Sequence, residues 1–227
     1  MITLNSDAAS TSLSKTTKAI LNEYGIKLNK NLGQNYLIDR NKRDQIIQFG
    51  NLTKDDVVLE IGPGIGTLTI ELAKRVKKVI AIEQDSNICQ ILENRLKKEN
   101  IDNVELINDD ALNVEFPKFD KIISNLPYQI SSPITFKFLN YDFQLAILMY
   151  QKEFASRMNG KVGSKDYSRL SAMLYFKCDV DLLTGVSAES FIPKPKVDST
   201  VVRLTPKLPE LNGQLKHLNI NEINEKD

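Results

Sequence analysis

Tryptophan is absent from the chain, and histidine occurs once, as His217. That histidine lies in a polar stretch near the end. A Ser-His-Asp triad, a papain-like Cys-His pair or a His-rich zinc site therefore has nothing else to build on. Cysteine is scarce as well. Cys89 and Cys178 are isolated thiols, with no C-x-x-C and no framework of a secreted domain. No apolar run approaches the ~18 residues of a membrane span; the longest core-like stretch is Leu145-Ala-Ile-Leu-Met-Tyr150. The first ten residues lack the basic start and apolar centre of a signal peptide. These absences predict a cytoplasmic protein without a membrane partner. Its chemistry is expected to use neither histidine nor metal, which favours a reactive cofactor.

An excess of charge of one sign is also missing. The 30 basic and 29 acidic residues leave a net charge of +1, so overall charge makes no case for a nucleic-acid partner. Local clusters keep that question open: Lys27 and Lys30, Lys42-Arg43, Lys74-Arg75 with Lys77-Lys78, and Lys194 with Lys196. Each reads either as a phosphate contact or as a solvated face. What is present is a chain of 227 residues, 41% hydrophobic and 26% charged. That suffices for one well-buried domain and is too apolar for a disordered chain.

Residues 1–15 are Ser/Thr-rich and aperiodic, and are expected to form a disordered tail. A short helix over Thr16–Tyr24 is expected next, ended by Gly25. The polar stretch Lys27–Ile38 reads as a loop, and Asp39 can cap a helix reaching Phe49. From about residue 56 a βα rhythm sets in. Strands are predicted at Val57–Ile61, Lys78–Glu83, Val104–Ile107, Phe119–Ser124 and Gln144–Tyr150. The intervening helices fall at Thr67–Arg75, Ser86–Lys98 and Pro133–Leu139. Apolar strands alternating with amphipathic helices indicate a parallel sheet covered on both faces. Helices near Lys152–Met158 and Tyr167–Phe176 follow. Strands at Val180–Val186 and Ser199–Leu204 then read as an antiparallel pair at a sheet edge. The fold class predicted is α/β and Rossmann-like, with a mostly parallel seven-stranded sheet.

The sharpest local signal is Val57-Val-Leu-Glu-Ile-Gly-Pro-Gly-Ile-Gly66, a strand running through a glycine turn into a helix. Gly62 and Gly64 let the backbone turn and approach a ligand without a Cβ in the way. Gly66 opens the helix, whose free N–H groups are expected to face the same crevice. Glu83 ends the second strand, where a carboxylate can accept both hydroxyls of a ribose. Asp110, after the third strand, can accept from an adenine amine. An adenosine cofactor follows, of which two kinds fit. A dinucleotide fingerprint is G-x-G-x-x-G, whereas the spacing here is G-x-G-x-G with Glu60 two positions before it. S-adenosylmethionine has no pyrophosphate to cradle and would lay its methionine end along the turn.

The fourth strand runs into Asn125-Leu126-Pro127-Tyr128. An adenine amine is a poor nucleophile, because its lone pair is delocalised into the ring. The Asn125 side-chain oxygen and the Leu126 carbonyl can accept its two N–H bonds and bring the lone pair towards a methylsulfonium. Pro127 fixes the turn, and Tyr128 offers a ring on which a base can stack. No general base is needed at the start, since the alkylated amine becomes acidic as positive charge develops.

Five blocks in order now give a resemblance: Asn31-Leu-Gly-Gln-Asn-Tyr-Leu37, Glu60-Ile-Gly-Pro-Gly-Ile-Gly66, Asn125-Leu-Pro-Tyr-Gln-Ile-Ser131, Tyr167-Ser-Arg-Leu-Ser171 and Phe191-Ile-Pro-Lys-Pro-Lys-Val-Asp-Ser199. Over roughly residues 15–205 the chain resembles the KsgA-type small-subunit ribosomal RNA adenine dimethyltransferases. The resemblance implies S-adenosylmethionine as cofactor, held by Asn35, Leu37, Gly62, Gly64, Glu83, Asp110 and Asn125. It implies catalysis by Asn125, Leu126, Pro127 and Tyr128, with Phe191 as a second face for a flipped adenine opposite Tyr128. It implies methyl transfer, twice per base, to N6 of two adjacent adenosines in a hairpin loop near the 3′ end of small-subunit RNA. The partner implied is the assembling small subunit, and a monomer is the default state. Such proteins continue past the last strand into a small helical domain that helps dock the RNA. Here the polar residues 206–227 are expected to stand in its place. The catalytic domain is thus expected over 16–205.

Three rival readings stand beside this one. The related resistance methyltransferases of large-subunit RNA share the cofactor and base-pocket blocks, but do not usually carry a full F-x-P-x-P-K-V-D-S loop. A binding-only assembly factor would keep the fold and methylate little. A nicotinamide-dependent dehydrogenase would leave Asn125-Leu-Pro-Tyr128 unexplained.

Overall fold

The computed structural model describes residues 12–26 and 35–207. Expectations for residues 1–11, for 27–34 (with Lys27 and Lys30) and for 208–227 (with His217) lie outside the described residues.

The first helix, α1 (Leu13–Glu23), starts earlier than expected, and the reason is a cap. The Ser12 hydroxyl accepts the Lys15 N–H at 3.3 Å, so Leu13–Lys15 belong to a helix and not to a disordered tail. A two-residue strand, β1 (Tyr36–Leu37), precedes α2 (Arg40–Phe49). Asp39 caps α2 by accepting the Lys42 N–H at 3.1 Å, as its position suggested.

The βα succession follows: β2 (Val57–Ile61), α3 (Thr69–Ala73), β3 (Lys78–Glu83), α4 (Ser86–Lys98), β4 (Val104–Asn108), β5 (Lys121–Asn125), α5 (Ser131–Phe138) and β6 (Leu145–Gln151). α3 is shorter than the predicted Thr67–Arg75. Leu68 stands at its N-cap and has no side-chain acceptor, so Gly66–Leu68 stay in the turn. The helix therefore does not begin at Gly66, and the glycine turn itself lines the crevice. By contrast α4 matches its predicted span, because the Asp85 carboxylate accepts from Asn87 and Ile88 N–H. The chain closes with α6 (Lys152–Met158), α7 (Arg169–Lys177), β7 (Cys178–Val186), the two-residue β8 (Phe191–Ile192) and β9 (Ser199–Pro206).

The main sheet has seven strands in the order β4-β3-β2-β5-β6-β9-β7. The five strands from β4 to β6 are parallel, while β9 runs antiparallel between β6 and β7. The predicted fold class holds. Alternation along each strand divides the core between the two faces. Leu59, Ile61, Ile80, Ile122 and Leu148 pack with Ile134 and Phe138 of α5 and with Leu170 and Leu174 of α7. Val58, Val79, Ile123, Ile147 and Val201 pack with Ile46 and Ile47 of α2 and Leu72 of α3. Under the sheet, Lys121 Nζ lies 2.9 Å from an Asp56 carboxylate oxygen, with both residues buried. Cys89 and Cys178 are free and buried, and burial pushes both thiols up to about 11. Among the described residues no helix is long and apolar enough to cross a membrane.

The two short strands make a separate antiparallel pair, with Tyr36 opposite Ile192 and Leu37 opposite Phe191. Neither strand was anticipated. Their pairing ties the segment before α2 to the Phe191–Ser199 block, far away in sequence.

Candidate active site

Strand order reverses between β2 and β5. The chain runs outward through β3 and β4 on one side, then returns to continue through β5 and β6 on the other. The carboxyl ends of β2 and β5 therefore open a crevice, the standard ligand position of an open α/β sheet. A cavity of about 250 Å³ lies there. It is lined by the end of β1, the glycine turn, the ends of β3 and β4 and the segment 125–130.

The backbone at Gly62 and Gly64 has φ of +66° and +55°, the left-handed region that favours glycine. A Cβ on Gly62 would stand 2.8 Å from Pro127 Cγ, and one on Gly64 would stand 3.0 Å from the Tyr36 ring. The turn is therefore held between Tyr36 on one side and Pro127 on the other. Gly62 N–H donates to the Ile82 carbonyl at 2.8 Å, and Gly64 N–H donates to a Glu83 carboxylate oxygen at 3.1 Å. The second Glu83 oxygen accepts the Asp85 N–H at 3.1 Å. Burial dominates at Glu83 and raises its carboxyl above the ordinary range, against those backbone donors. Asp110 Oδ1 accepts the Leu112 N–H at 2.9 Å, which turns its carboxylate at the rim beside Asp109.

On the β5 side, Asn125 Nδ2 donates to the Asn35 carbonyl at 3.1 Å. The amide nitrogen is thereby spent, and Oδ1 has no protein donor among the described residues. Pro127 has φ −59° and ψ 121°, an extended turn leading into a short 3-10 turn at Tyr128–Ile130. Tyr128 is half-buried in the cavity wall, and its hydroxyl lies 2.7 Å from Ser199 Oγ. Burial raises the Tyr128 phenol.

The structure thus gathers Asn35, Leu37, Gly62, Gly64, Glu83, Asp110, Asn125, Leu126, Pro127 and Tyr128 around one cavity. It does not bring Phe191 there. Phe191 is only 2% exposed and packs in the core with Leu37, Met149 and Val201. Its register opposite Leu37 turns an apolar ring inward, where burial stabilises it. The expected pairing of Tyr128 and Phe191 as two faces around a base is not the arrangement here. Nor do the basic clusters among the described residues line the crevice. Lys194 pairs with Glu189, Lys74 and Arg75 with Glu71, and Lys78 with Glu105.

Sequence reasoning left three residues of this region unassigned. Tyr36 lines the cavity with a buried hydroxyl that lacks a hydrogen-bond partner among the described residues, and burial raises its phenol. Glu60 is 2% exposed, and its Oε2 also lacks a partner. Burial pushes the Glu60 carboxyl up to about 8, against the Thr69 hydroxyl and with the help of the Glu83 charge. Ser199 is fully buried at the first position of β9. For Glu60 there was a signal: an acidic residue inside an otherwise apolar strand.

A cofactor with an adenosine and an extended polar tail fits this set of residues. Two glycines leave a cradle that any Cβ would fill, Glu83 keeps acceptor capacity, and Glu60 and Tyr36 carry orphaned polar atoms.

The family model for ribosomal RNA adenine dimethylases matches residues 25–220 of the chain. A protein of Methanosphaera stadtmanae named "Probable ribosomal RNA small subunit methyltransferase A" is 54% identical over 191 residues, which cover 84% of this chain and 70% of that protein. Among solved structures, a dimethyladenosine transferase from Plasmodium falciparum is similar with a TM-score of 0.74 and 40% identity, over 82% of this chain and 66% of that one. The 23S rRNA methyltransferase ErmE is similar with a TM-score of 0.69 and 30% identity, over 84% of this chain and 81% of that one.

Proposed function

The chain belongs to the ribosomal RNA adenine dimethylase family, and from that premise we propose that it methylates N6 of adenosine in small-subunit ribosomal RNA, with S-adenosylmethionine as donor. The finer reading is two transfers to each of two adjacent adenosines in a hairpin loop near the 3′ end. They would be presented on an assembling small subunit to a cytoplasmic monomer. Loop adenines cost less to extrude than paired ones. Residues 16–205 would form the catalytic domain.

One observation carries the reading. The glycine turn and the Asn125–Tyr128 segment share a wall, with the Gly62 backbone packed against Pro127. A ligand on the turn and a base on the segment would therefore meet.

When bound, S-adenosylmethionine supplies an electrophilic methyl group on a sulfonium. The chain's own residues do the rest. Gly62 and Gly64 allow close backbone approach. The Glu83 oxygens, each holding one backbone N–H, keep lone pairs for ribose hydroxyls. Asp110 Oδ2, at the rim, is the acceptor offered to an adenine amine of the cofactor. Asn35 and Leu37 close the near wall.

Asn125 Oδ1 and the Leu126 carbonyl accept the two N–H bonds of the target amine. They draw its lone pair out of conjugation and aim it along the crevice. The Asn35 carbonyl fixes which end of the Asn125 amide is left for the substrate. Tyr128 supplies the ring on which the base lies. The proton lost by the alkylated amine needs no fixed base, because that nitrogen is acidic as soon as it carries positive charge.

A second reading, a resistance-type enzyme of large-subunit RNA, draws on the likeness to ErmE. A tritiated-methyl transfer assay tests both, with unmethylated small subunits, naked RNA and large subunits in parallel. Label in two adjacent small-subunit adenines is the expected result. Label in large subunits would favour the second reading, and cofactor binding without label would favour a binding-only assembly factor.

A further inference from the structure

Among the described residues the cavity is lined by four carboxyl groups, those of Glu60, Glu83, Asp109 and Asp110, and by no lysine, arginine or histidine. Three of the four receive backbone N–H donors. Glu83 has Gly64 and Asp85, Asp109 has Asp110, and Asp110 has Leu112. Glu60 is the exception: it is buried, and its Oε2 meets no donor among the described residues.

The groups around Glu60 can be named element by element. α3 offers the Thr69 hydroxyl, and β3 brings the Glu83 carboxylate. β1 contributes the Tyr36 phenol, β5 the Asn125 amide, and the segment after β4 Asp109 and Asp110. Among the described residues none of these groups is a cation. A carboxylate buried without a cation or a full set of donors is costly, so the neutral acid is favoured. The upward displacement of this carboxyl, to about 8, agrees.

We infer that Glu60 holds a proton in the free protein and gives it up when a cationic ligand enters the cavity, so that cofactor uptake releases a proton. The balance is simple. The carboxylic O–H ionises, the proton passes to solvent buffer, and the carboxylate faces the ligand's positive charge with no bond formed to it. The inference rests on the reading of this cavity as the site for S-adenosylmethionine. That molecule carries a sulfonium and an ammonium, whereas S-adenosylhomocysteine carries the ammonium alone. Either charge would serve, and the two ligands tell them apart.

The test is calorimetric binding of each ligand to the full chain at pH 7, in two buffers of different ionisation enthalpy. The expected result is release of about one proton with S-adenosylmethionine and an affinity that rises about tenfold from pH 6 to pH 7. Glu60→Gln should bind with neither effect. Release with both ligands would place the ammonium near Glu60, and release with the sulfonium alone would place the sulfonium there. Equal heats in both buffers would overturn the inference while leaving the cofactor reading intact. No binding of either ligand would overturn both. Should Glu60→Gln fail to fold, carboxyl-carbon NMR of the unsubstituted protein decides the matter. A Glu60 signal in the neutral range that moves to the ionised range on ligand addition supports the inference, and one already ionised in the free protein refutes it.

Discussion

The Tyr128 hydroxyl and the Ser199 Oγ lie 2.7 Å apart, joining the wall of the cavity to the sheet. Ser199 is fully buried, opposite Gln151 of β6 and Val186 of β7, so its position is set by strands on both sides. The Tyr128 ring is thereby fixed in orientation. Ser199→Ala should leave cofactor affinity unchanged and reduce methyl transfer about fivefold, the order expected from one net hydrogen bond of ~1 kcal/mol. Tyr128→Phe should do the same, and the double variant should be no worse than either alone. Additive losses in transfer rate would show that the two hydroxyls act separately.

Much of this site could be read from local sequence because its parts are local. The strand Lys78–Glu83 and the helices Ser86–Lys98 and Lys152–Met158 match their predicted spans. There an apolar run or a capping side chain decides the outcome within a few residues. The glycine turn and the Asn125–Tyr128 segment were legible for the same reason, since both follow directly on strand ends. What escaped depends on partners distant in sequence. β1 and β8 are two residues each, too short for any periodicity, and exist because Tyr36 and Leu37 meet Ile192 and Phe191. That pairing buries Phe191, so a ring expected in the base pocket lies in the core. Glu60 was visibly an acid in an apolar strand, but only the folded neighbourhood shows that no donor reaches Oε2.

Asn125 is held by one bond and offers another. Its Nδ2 donates to the Asn35 carbonyl at 3.1 Å, which leaves Oδ1 for the proposed contact with a substrate amine. Asn125→Ala should abolish turnover while cofactor affinity falls only a few-fold, since one charge-free hydrogen bond is worth about 1 kcal/mol. Asn125→Asp keeps an acceptor and loses the Asn35 contact, so it should retain some activity. Single-turnover rates and separate binding titrations distinguish the two effects. An active Asn125→Ala protein would remove Asn125 from the amine contact.

Gly62 tests the shared wall. Its φ of +66° disfavours any L side chain, and a Cβ would sit 2.8 Å from Pro127 Cγ. Gly62→Ala should lower stability by about 1–2 kcal/mol and cofactor affinity by more than tenfold, because the turn and Pro127 must both move. Gly163, also at positive φ but with open space around its Cβ position, is the control. Gly163→Ala should cost stability only, with cofactor affinity intact. Equal affinity losses in both would deny the Gly62–Pro127 contact any special role.

The buried pair of Lys121 and Asp56 lies away from the cavity and should report on folding alone. Burial tends to raise the Asp56 carboxyl. The Thr53 N–H and the Lys121 ammonium outweigh that and hold it below the usual carboxylate range. Its contribution to stability is therefore present above the unfolded value near 4 and is lost as pH falls through the lower folded value. Asp56→Ala should cost about 3–5 kcal/mol in urea unfolding at pH 7, because it leaves a buried ammonium unpaired. The difference from the unsubstituted protein should shrink below pH 4.

Glu60 gives the opposite sign. Its folded value, about 8, lies above the unfolded value of 4.5. Between those two pH values the unfolded chain has lost the proton that the folded chain still holds. Stability must therefore fall as pH rises from about 4.5 and level off above about 8. Glu60→Gln keeps the size and removes the titration, so the free variant should melt higher than the unsubstituted protein at pH 8 and close to it at pH 4.5. Saturating S-adenosylmethionine should stabilise the unsubstituted protein more at pH 8 than at pH 6, since the ligand's charge favours the ionised carboxylate. In Glu60→Gln that pH dependence of ligand stabilisation should disappear. Thermal melts of both proteins across pH 4.5–8.5, with and without ligand, measure all of this. Parallel curves for the two proteins would mean that Glu60 is already ionised in the empty cavity, so that it has no proton to release on ligand uptake.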